Sequence, residues 1–432
     1  MNRQAILKFR ASLLKFVVSI TGGGATFISD YLLVPGASGS LIEARVPYSP
    51  AATDAFLGQP PESYCSEVTA RLVASSAFAR ARALEPASDQ DALLGIGATA
   101  SLVSERPKKG PHRVHCAVVA RKGVFSATLM LEKNARDRSE EERLAADFIL
   151  STASFAAEKL SNRDDAPWRE KTAALPILSD SPSKPGDSST ISWTLLDSAS
   201  ADFLYGPVAD ALPTIRALRW RGGKLDVALL SNHERIALDG APGDALANLA
   251  AAPRETDDAR HTIFPGSFNP PHRGHVEMAT FSAQRTGVTT EFELSARNVD
   301  KPPLDALEIL RRVNALDAAV PNASVWVSNA PRFIEKAELM PRSNFILGAD
   351  TILRLADPKY ERGSVAERDA VVARLAELET KLLVYNRKID DRVESFDELR
   401  AAIPDALAAI CEFVDEPIDD VSSTELRRRA RQ

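Results

Sequence analysis

The sequence predicts an α/β protein built from two α/β domains, and three observations carry that prediction. The chain has 432 residues, more than a single core serves at roughly 150 residues per domain. Strand-like apolar runs alternate with helical spacing at the start of the chain and again after His261. Between these regions, residues 161–190 (SNRDDAPWREKTAALPILSDSPSKPGDSST) concentrate Pro, Ser and Asp without any period, which reads as a linker. The expected layout is a first domain at 1–160, the linker at 161–190, a connecting segment of unknown role at 191–255 and a second domain at 256–432, with a parallel sheet. No internal repeat is visible.

Each element follows from local pattern. Ile6, Leu7, Leu13 and Leu14 fit a short amphipathic helix, and FVVSI then fits a buried strand. That strand runs into Thr21-Gly22-Gly23-Gly24, followed by ATFISDYLLV, a plausible helix. Pro60–Leu84 shows helical spacing through Val68, Leu72, Val73 and Phe78. RVHCAVVA and VFSATLMLEK flank Arg121-Lys122-Gly123 as a hairpin. Ser139 with Glu142 matches a capping box ahead of a helix carrying Leu144, Phe148 and Phe155. In 191–255, a hairpin is expected about Arg221-Gly222-Gly223 and a capped helical stretch near 243–251, with no chemistry attached.

Composition excludes several functions. Apolar residues make up 44% and charged residues 26%, an ordinary globular balance that rules out disorder for the bulk of the chain. The net charge of −6 leaves no general basic footprint, so neither nucleic acid nor an anionic membrane is an expected partner; a local basic cluster stands at Arg427, Arg428, Arg429 and Arg431. Cys65, Cys116 and Cys411 are far apart and form no CxxC, so no metal site is expected and a reducing cytoplasm fits them best. No apolar run approaches the ~18 residues of a membrane span. The first residues loosely imitate a leader, but Arg10 and Lys15 interrupt the apolar stretch.

The chemistry concentrates in Gly266-Ser267-Phe268-Asn269-Pro270-Pro271-His272-Arg273-Gly274-His275, entered from the apolar HTIF. A strand-to-helix turn of this kind presents backbone N–H groups and a positive helix dipole to phosphate. Gly266 removes a side chain where a nucleotide would approach the backbone, and Gly274 removes one between the histidines. His272 and His275 are three apart, so one helical turn puts both imidazoles on one side, where they can donate to phosphate oxygens. The plainer alternatives are a surface turn or a chance metal pair, and two histidines without a third ligand are weak evidence for zinc.

This pattern, GxFxPxHxGH, resembles the HxGH nucleotidylyltransferase superfamily, particularly nicotinamide/nicotinate mononucleotide adenylyltransferases. The resemblance implies a Rossmann-like fold with a parallel sheet, His272 and His275 in catalysis, and Gly266, Ser267, Phe268 and Gly274 about ATP. Phe345-Ile-Leu-Gly348-Ala349-Asp350 reads as a strand, a small-residue turn and an acid at a helix start; the matching family turn contacts adenosine, giving Gly348 and Asp350 as ATP-binding candidates. The plain reading of Asp350 is an N-cap. Val421-Ser422-Ser423-Thr424-Glu425-Leu426-Arg427 is similar to the family's ISSTxxR motif, which holds the triphosphate. It nominates Ser422, Ser423 and Thr424 for ATP and Arg427 for catalysis, against an ordinary capped helix. Asn298 and Lys301, after the second strand of that domain, stand where the superfamily binds the mononucleotide phosphate.

Ser19-Ile-Thr21-Gly22-Gly23, LLVPGAS and ARVPYSPAATDAFLG resemble the C-terminal domain of CinA, the nicotinamide-nucleotide amidohydrolase family, over about residues 10–160. The resemblance nominates Ser19, Thr21, Gly22, Gly23, Tyr48 and Ser49 for a pocket. Thr53 stands at the family's lysine position and Val18 at its acid, so the obvious activators of a serine nucleophile are missing. The expected function is therefore transfer of AMP from ATP to nicotinate or nicotinamide mononucleotide, with Mg²⁺ accompanying ATP, beside a degenerate amidohydrolase-like domain. The alternatives are a deamidase/adenylyltransferase, a cytidylyltransferase of other specificity, or a non-catalytic regulator that binds pyridine nucleotides. Homo-oligomers are compatible with the sequence.

Overall fold

A computed structural model describes residues 3–106, 108–121, 123–161, 170–174, 190–197, 215–222, 224–230, 234–237, 254–256, 260–297, 304–360, 363–385, 388–389, 392–393, 395–416 and 418. It divides into two compact units. The first is Met1–Ala211 with Ala241–Gly243 and Asp300–Leu307; the second is Leu212–Gly240, Asp244–Val299 and Glu308–Gln432.

The first unit runs α1 (Arg3–Arg10), β1 (Lys15–Thr21), α2 (Thr26–Leu33), β2 (Leu41–Arg45), α3 (Pro50–Leu57), α4 (Glu67–Leu84), β3 (Leu93–Ser101), β4 (His112–Ala120), β5 (Gly123–Leu131), α5 (Arg138–Ser161), β6 (Glu170–Ala174) and β7 (Thr190–Asp197). Its strands form one mixed sheet in the order β2-β1-β3-β4-β5-β7-β6. The three strands β2, β1 and β3 are parallel, and the rest are antiparallel. Alternation along the strands sorts their side chains to two faces. Phe16, Val18 and Ile20 of β1 join Leu94, Ile96 and Ala98 of β3 in a core with Phe27 and Tyr31 of α2 and Phe148 and Ile149 of α5. The other face takes α4, and close approach is the device there. A Cβ on Gly97 would lie 2.3 Å from the Ala74 nitrogen and 2.5 Å from the Ala70 carbonyl oxygen, so only glycine lets the α4 backbone lie this close.

The second unit opens with the antiparallel strands β8 (Ile215–Arg221), β9 (Lys224–Leu230), β10 (Glu234–Ala237) and β11 (Arg254–Thr256). It continues through β12 (Thr262–Pro265), α6 (Arg273–Thr286), β13 (Thr290–Ser295), α7 (Ala306–Ala319), β14 (Ser324–Ser328), α8 (Phe333–Leu339), β15 (Asn344–Gly348), α9 (Ala349–Ala356), α10 (Val365–Glu377), β16 (Lys381–Tyr385), a small ribbon of β17 (Lys388–Ile389) and β18 (Arg392–Val393), two short helices, α11 (Phe396–Ala401) and α12 (Asp405–Ala408), and β19 (Cys411–Val414). The sheet order is β11-β10-β9-β8-β14-β13-β12-β15-β16-β19. From β14 to β19 every pairing is parallel, whereas β8 joins β14 antiparallel. Counted from β12, the parallel strands stand in the order 3-2-1-4-5-6, the doubly wound arrangement of dinucleotide-binding folds. The order reverses between β12 and β15, which opens a crevice at the carboxyl ends of those two strands. The fold is the predicted one: two α/β units, the second Rossmann-like.

Several local expectations change. The span 161–190, read as a linker, contributes β6, a strand of the first sheet. Within 191–255, β7 belongs to the first sheet and β8–β11 extend the second, with the expected hairpin pairing Arg221 to Lys224; the helix expected near 243–251 lies outside the described residues. Helix α4 starts at Glu67 rather than near Pro60, because Ser66 Oγ accepts the Thr69 N–H at 3.1 Å and sets the N-cap there. The capping box of α5 is Asp137 with Glu140 rather than Ser139 with Glu142: Asp137 accepts the Glu140 N–H at 2.8 Å, and Glu140 accepts the Asp137 N–H at 3.0 Å.

All three cysteines are unpaired. Burial pushes the thiols of Cys116 and Cys411 up to about 12 and raises that of Cys65, so none is a thiolate near neutral pH. Among the described residues, no helix is long and apolar enough to cross a membrane.

The Gly97–α4 contact yields a direct test. Gly97→Ala should destabilise the first unit by about 2–3 kcal/mol, because both facing groups are main-chain atoms that cannot rotate aside. Amide exchange in β3 measured against denaturant reads this; unaltered protection would contradict the close packing.

Candidate nucleotide-binding site

Strand β12 ends at the crevice, and the turn from Gly266 to His272 carries the chain from it into α6. The turn is built around one ring. Phe268 is 1% exposed and holds φ at +43°, a left-handed conformation that costs a non-glycine residue about 1–2 kcal/mol. Burying the benzyl group offsets that cost. The ring stands edge-on to Phe264 and Phe292, each with centroids 5.4 Å away, and to the His275 imidazole at 5.1 Å. Gly266 makes room for it: a Cβ there would fall 2.6–2.9 Å from the Phe268 ring atoms. The expected reason for this glycine, close approach by a nucleotide, is thus accompanied by an internal one. Phe268, expected beside ATP, lies under the turn, so its side chain shapes the loop.

The histidines are fixed by backbone as well as by packing. His272 is the N-cap of α6, with extended φ and ψ of −140° and 172°. Its own N–H donates to His275 Nδ1 at 3.2 Å, and the two rings lie 3.7 Å apart with a tilt of 32°. An amide N–H can only donate, so His275 Nδ1 carries a lone pair, and the neutral ring holds its proton on Nε2. The site thereby sets one imidazole N–H at the positive end of a 14-residue helix. Gly274 is buried in the first turn of α6.

Beneath the turn, Gly266 N–H donates to the Glu293 carbonyl on β13 at 2.9 Å. The Glu293 carboxylate is itself buried and receives Lys336 Nζ at 2.9 and 3.0 Å and the Ser328 hydroxyl, while Lys336 also reaches the Ala330 carbonyl at 2.8 Å. This buried pair is hydrogen-bonded on both sides and locks β13 against β14 and α8. Above it, Ser267 is exposed and its carbonyl accepts from Arg312 on α7 at 3.0 Å. The sequence does not signal these roles: Glu308, Arg312 and Lys336 stand within helical patterns that read as solvated charge, and Glu293 meets Lys336 only across 43 residues of chain.

Across the crevice, β15 ends in Gly348, which is the N-cap of α9, and Asp350 lies exposed in the helix's first turn. Asp350 is therefore not the cap; its carboxylate is open to solvent beside the helix's positive end. The structure thus brings Gly266, His272 and His275 at the end of β12 and Gly348 and Asp350 at the end of β15 to the same strand reversal. Asn298, Lys301, Ser422, Ser423, Thr424 and Arg427 lie outside the described residues.

The first unit has a comparable strand–turn–helix, with a different filling. A cavity of about 450 Å³ is lined by Ile20, Gly22, Gly23, Ala25, Val46, Tyr48, Arg138, Ser139 and Glu142. At the start of α2, however, Glu142 accepts the N–H groups of Gly24 at 2.8 Å and Thr26 at 3.1 Å. An internal carboxylate occupies the donors that a phosphate would use. Arg138 adds a hydrogen bond to the Gly22 carbonyl at 3.2 Å. Ser19 is fully buried in mid-strand, in register with Gly97 and Arg45, and its hydroxyl has no hydrogen-bond partner among the described residues. Thr21 is also buried, and Ser49 is the exposed N-cap of α3. The Thr53 hydroxyl is buried and donates to the Pro47 carbonyl at 2.8 Å. Of the six expected pocket residues, Gly22, Gly23 and Tyr48 line the cavity.

Comparison with curated sequences found no match. Among solved structures, the chain is similar to a competence-damaged protein (CinA) superfamily protein from Escherichia coli, with 19% identity and a TM-score of 0.29 over 36% of this chain and 88% of that one. It is also similar to the competence/damage inducible protein CihA from Agrobacterium tumefaciens, with 22% identity and a TM-score of 0.28 over 37% of this chain and 90% of that one. Residues 263–429, which begin in β12 and include the turn, both histidines and the Gly348 turn, match the cytidylyltransferase-like family. The residues so matched carry the strand reversal and the HxGH turn, and this part of the second unit is similar to cytidylyltransferase-like domains.

Proposed function

We propose that the second unit transfers the adenylyl group of ATP to nicotinate or nicotinamide mononucleotide. The observation that carries the reading is the placement of the His272–His275 turn and the Gly348–Asp350 turn on the two sides of one strand reversal, where doubly wound folds bind nucleotides. In this reaction a phosphate oxygen of the mononucleotide attacks the α-phosphorus of ATP. The new P–O bond forms as the bond to the β-phosphate oxygen breaks, and pyrophosphate leaves with that electron pair. No covalent enzyme intermediate is needed, so the work is positioning and charge neutralisation.

His275 Nε2–H and the positive end of α6 meet the negative charge that gathers on the phosphate oxygens. Asp350 accepts from the ribose hydroxyls of the adenosine. Ser422, Ser423, Thr424 and Arg427 hold the triphosphate, and Asn298 and Lys301 take the mononucleotide phosphate; these six roles rest on sequence pattern alone. Among the described residues, no group of three or more His, Cys, Asp or Glu gathers to hold a metal ion. Mg²⁺ in this reading arrives with ATP, bound by phosphate oxygens and water. For the first unit we propose a role without turnover. Ser19 is buried with no hydrogen-bond partner for its hydroxyl among the described residues, and the anion-binding end of α2 is filled by Glu142.

The test is pyrophosphate release by the full chain with Mg²⁺ and either ATP or CTP, across a panel of mononucleotides. Release is expected with ATP and a pyridine mononucleotide, and His275→Ala should lower turnover ~100-fold with the fold intact. Release with CTP alone would replace the proposed specificity, and unaltered turnover in His275→Ala would remove this turn from the chemistry.

A second assay addresses the first unit. The full chain should liberate no ammonia from nicotinamide mononucleotide above the uncatalysed background. Ammonia release that disappears in Ser19→Ala would establish a second activity and overturn the non-catalytic reading.

A further inference from the structure

The turn that carries the histidines is clasped from outside by a single pair on α7. Arg312 donates through Nη1 to the Ser267 carbonyl at 3.0 Å, and through Nε and Nη2 to Glu308 Oε1 at 2.9 and 2.8 Å. The same Glu308 oxygen accepts the side-chain amide of Asn269 at 3.4 Å. Two side chains one helical turn apart thus bond the residues on either side of Phe268, one through its main chain and the other through its side chain. Both are largely shielded, with side chains 13% and 20% exposed, so this is more than a surface ion pair. The clasp falls at the position that most needs one, because Phe268 holds a left-handed φ that an unsupported loop would leave.

We propose that Arg312 and Glu308 are positioning residues for nucleotidyl transfer: they hold the Ser267–Asn269 backbone so that His272 and His275 face the reacting phosphates. This rests on the proposed transfer reaction, but its structural half stands apart from any substrate. A guanidinium suits the task because one planar fork reaches the Ser267 carbonyl and the carboxylate together; a lysine at 312 can offer its ammonium to either but cannot reproduce that span. The Phe268 ring remains caged by Phe264 and Phe292 without Arg312 and Glu308. Removing the clasp should therefore misplace the histidines while leaving the core packed.

The experiment has two readouts. In the full chain, Arg312→Ala and Arg312→Lys are compared by the imidazole NMR signals of His272 and His275 and by the kinetics of pyrophosphate release. Arg312→Ala should shift both imidazole signals and lower kcat roughly 10- to 100-fold with little change in KM for ATP, and Arg312→Lys should recover part of the loss. A fall in activity that tracks only the unfolded fraction, or unaltered imidazole signals, would overturn the proposal. If the wild-type chain transfers no nucleotide, the kinetic arm fails with the functional reading and the imidazole signals still decide the clasp. Should Arg312→Ala not fold, Glu308→Gln keeps an oxygen for Asn269 while removing the charge that orients Arg312, and the same two outcomes apply.

Discussion

One buried benzyl ring sets the terms for the second unit's site. Phe268 turns the chain through a left-handed conformation and is held there by Phe264, Phe292 and the edge of His275, with Gly266 giving the ring its space. Everything the site can do follows from that placement. The turn delivers His272 as the cap of α6, the His272 N–H fixes the tautomer of His275, and the remaining imidazole N–H is presented where the helix dipole already favours negative charge. A reaction that needs positioned donors more than a nucleophile is served by such an arrangement, because the donors are paid for by folding and need no rearrangement when phosphate arrives.

The two units use the same local device to different ends. Both place a glycine-containing turn between a buried strand and a helix N-terminus, the standard backbone setting for an anion. In the second unit the position above the helix faces the crevice of the strand reversal. In the first, Glu142 reaches from α5 and supplies the anion from within the protein. Charge-assisted hydrogen bonds of this sort contribute more than neutral ones, so an incoming phosphate would have to displace a carboxylate already in place. Nearby, the buried Ser19 hydroxyl has no hydrogen-bond partner among the described residues, and the buried Thr53 hydroxyl donates to the Pro47 carbonyl.

Much of this was legible in the residues. The Gly266–His275 turn, the Gly348–Asp350 turn and the β4–β5 and β8–β9 hairpins follow from local pattern, because turn chemistry and strand periodicity are local properties. What was not legible depended on distant partners. Asp137-x-x-Glu140 and Ser139-x-x-Glu142 both satisfy the capping-box rule, and only the demand of the Gly24 and Thr26 N–H groups, more than a hundred residues earlier, decides between them. Strand β6 sits in a stretch whose composition reads as a linker, and its place is set by pairing with β7. Arg312 offers no sequence signal at all, since its function lies in a carbonyl 45 residues away.

The central claim, that the β12–β15 reversal is where this chain handles phosphate, is tested most directly by a crystal structure of the full chain with a mononucleotide and an ATP analogue carrying a methylene bridge between the α- and β-phosphates. The account predicts the α-phosphate within hydrogen-bonding reach of His275 Nε2, with the ribose beside Asp350. A nucleotide bound elsewhere on the chain, with both imidazoles facing only solvent, would contradict it.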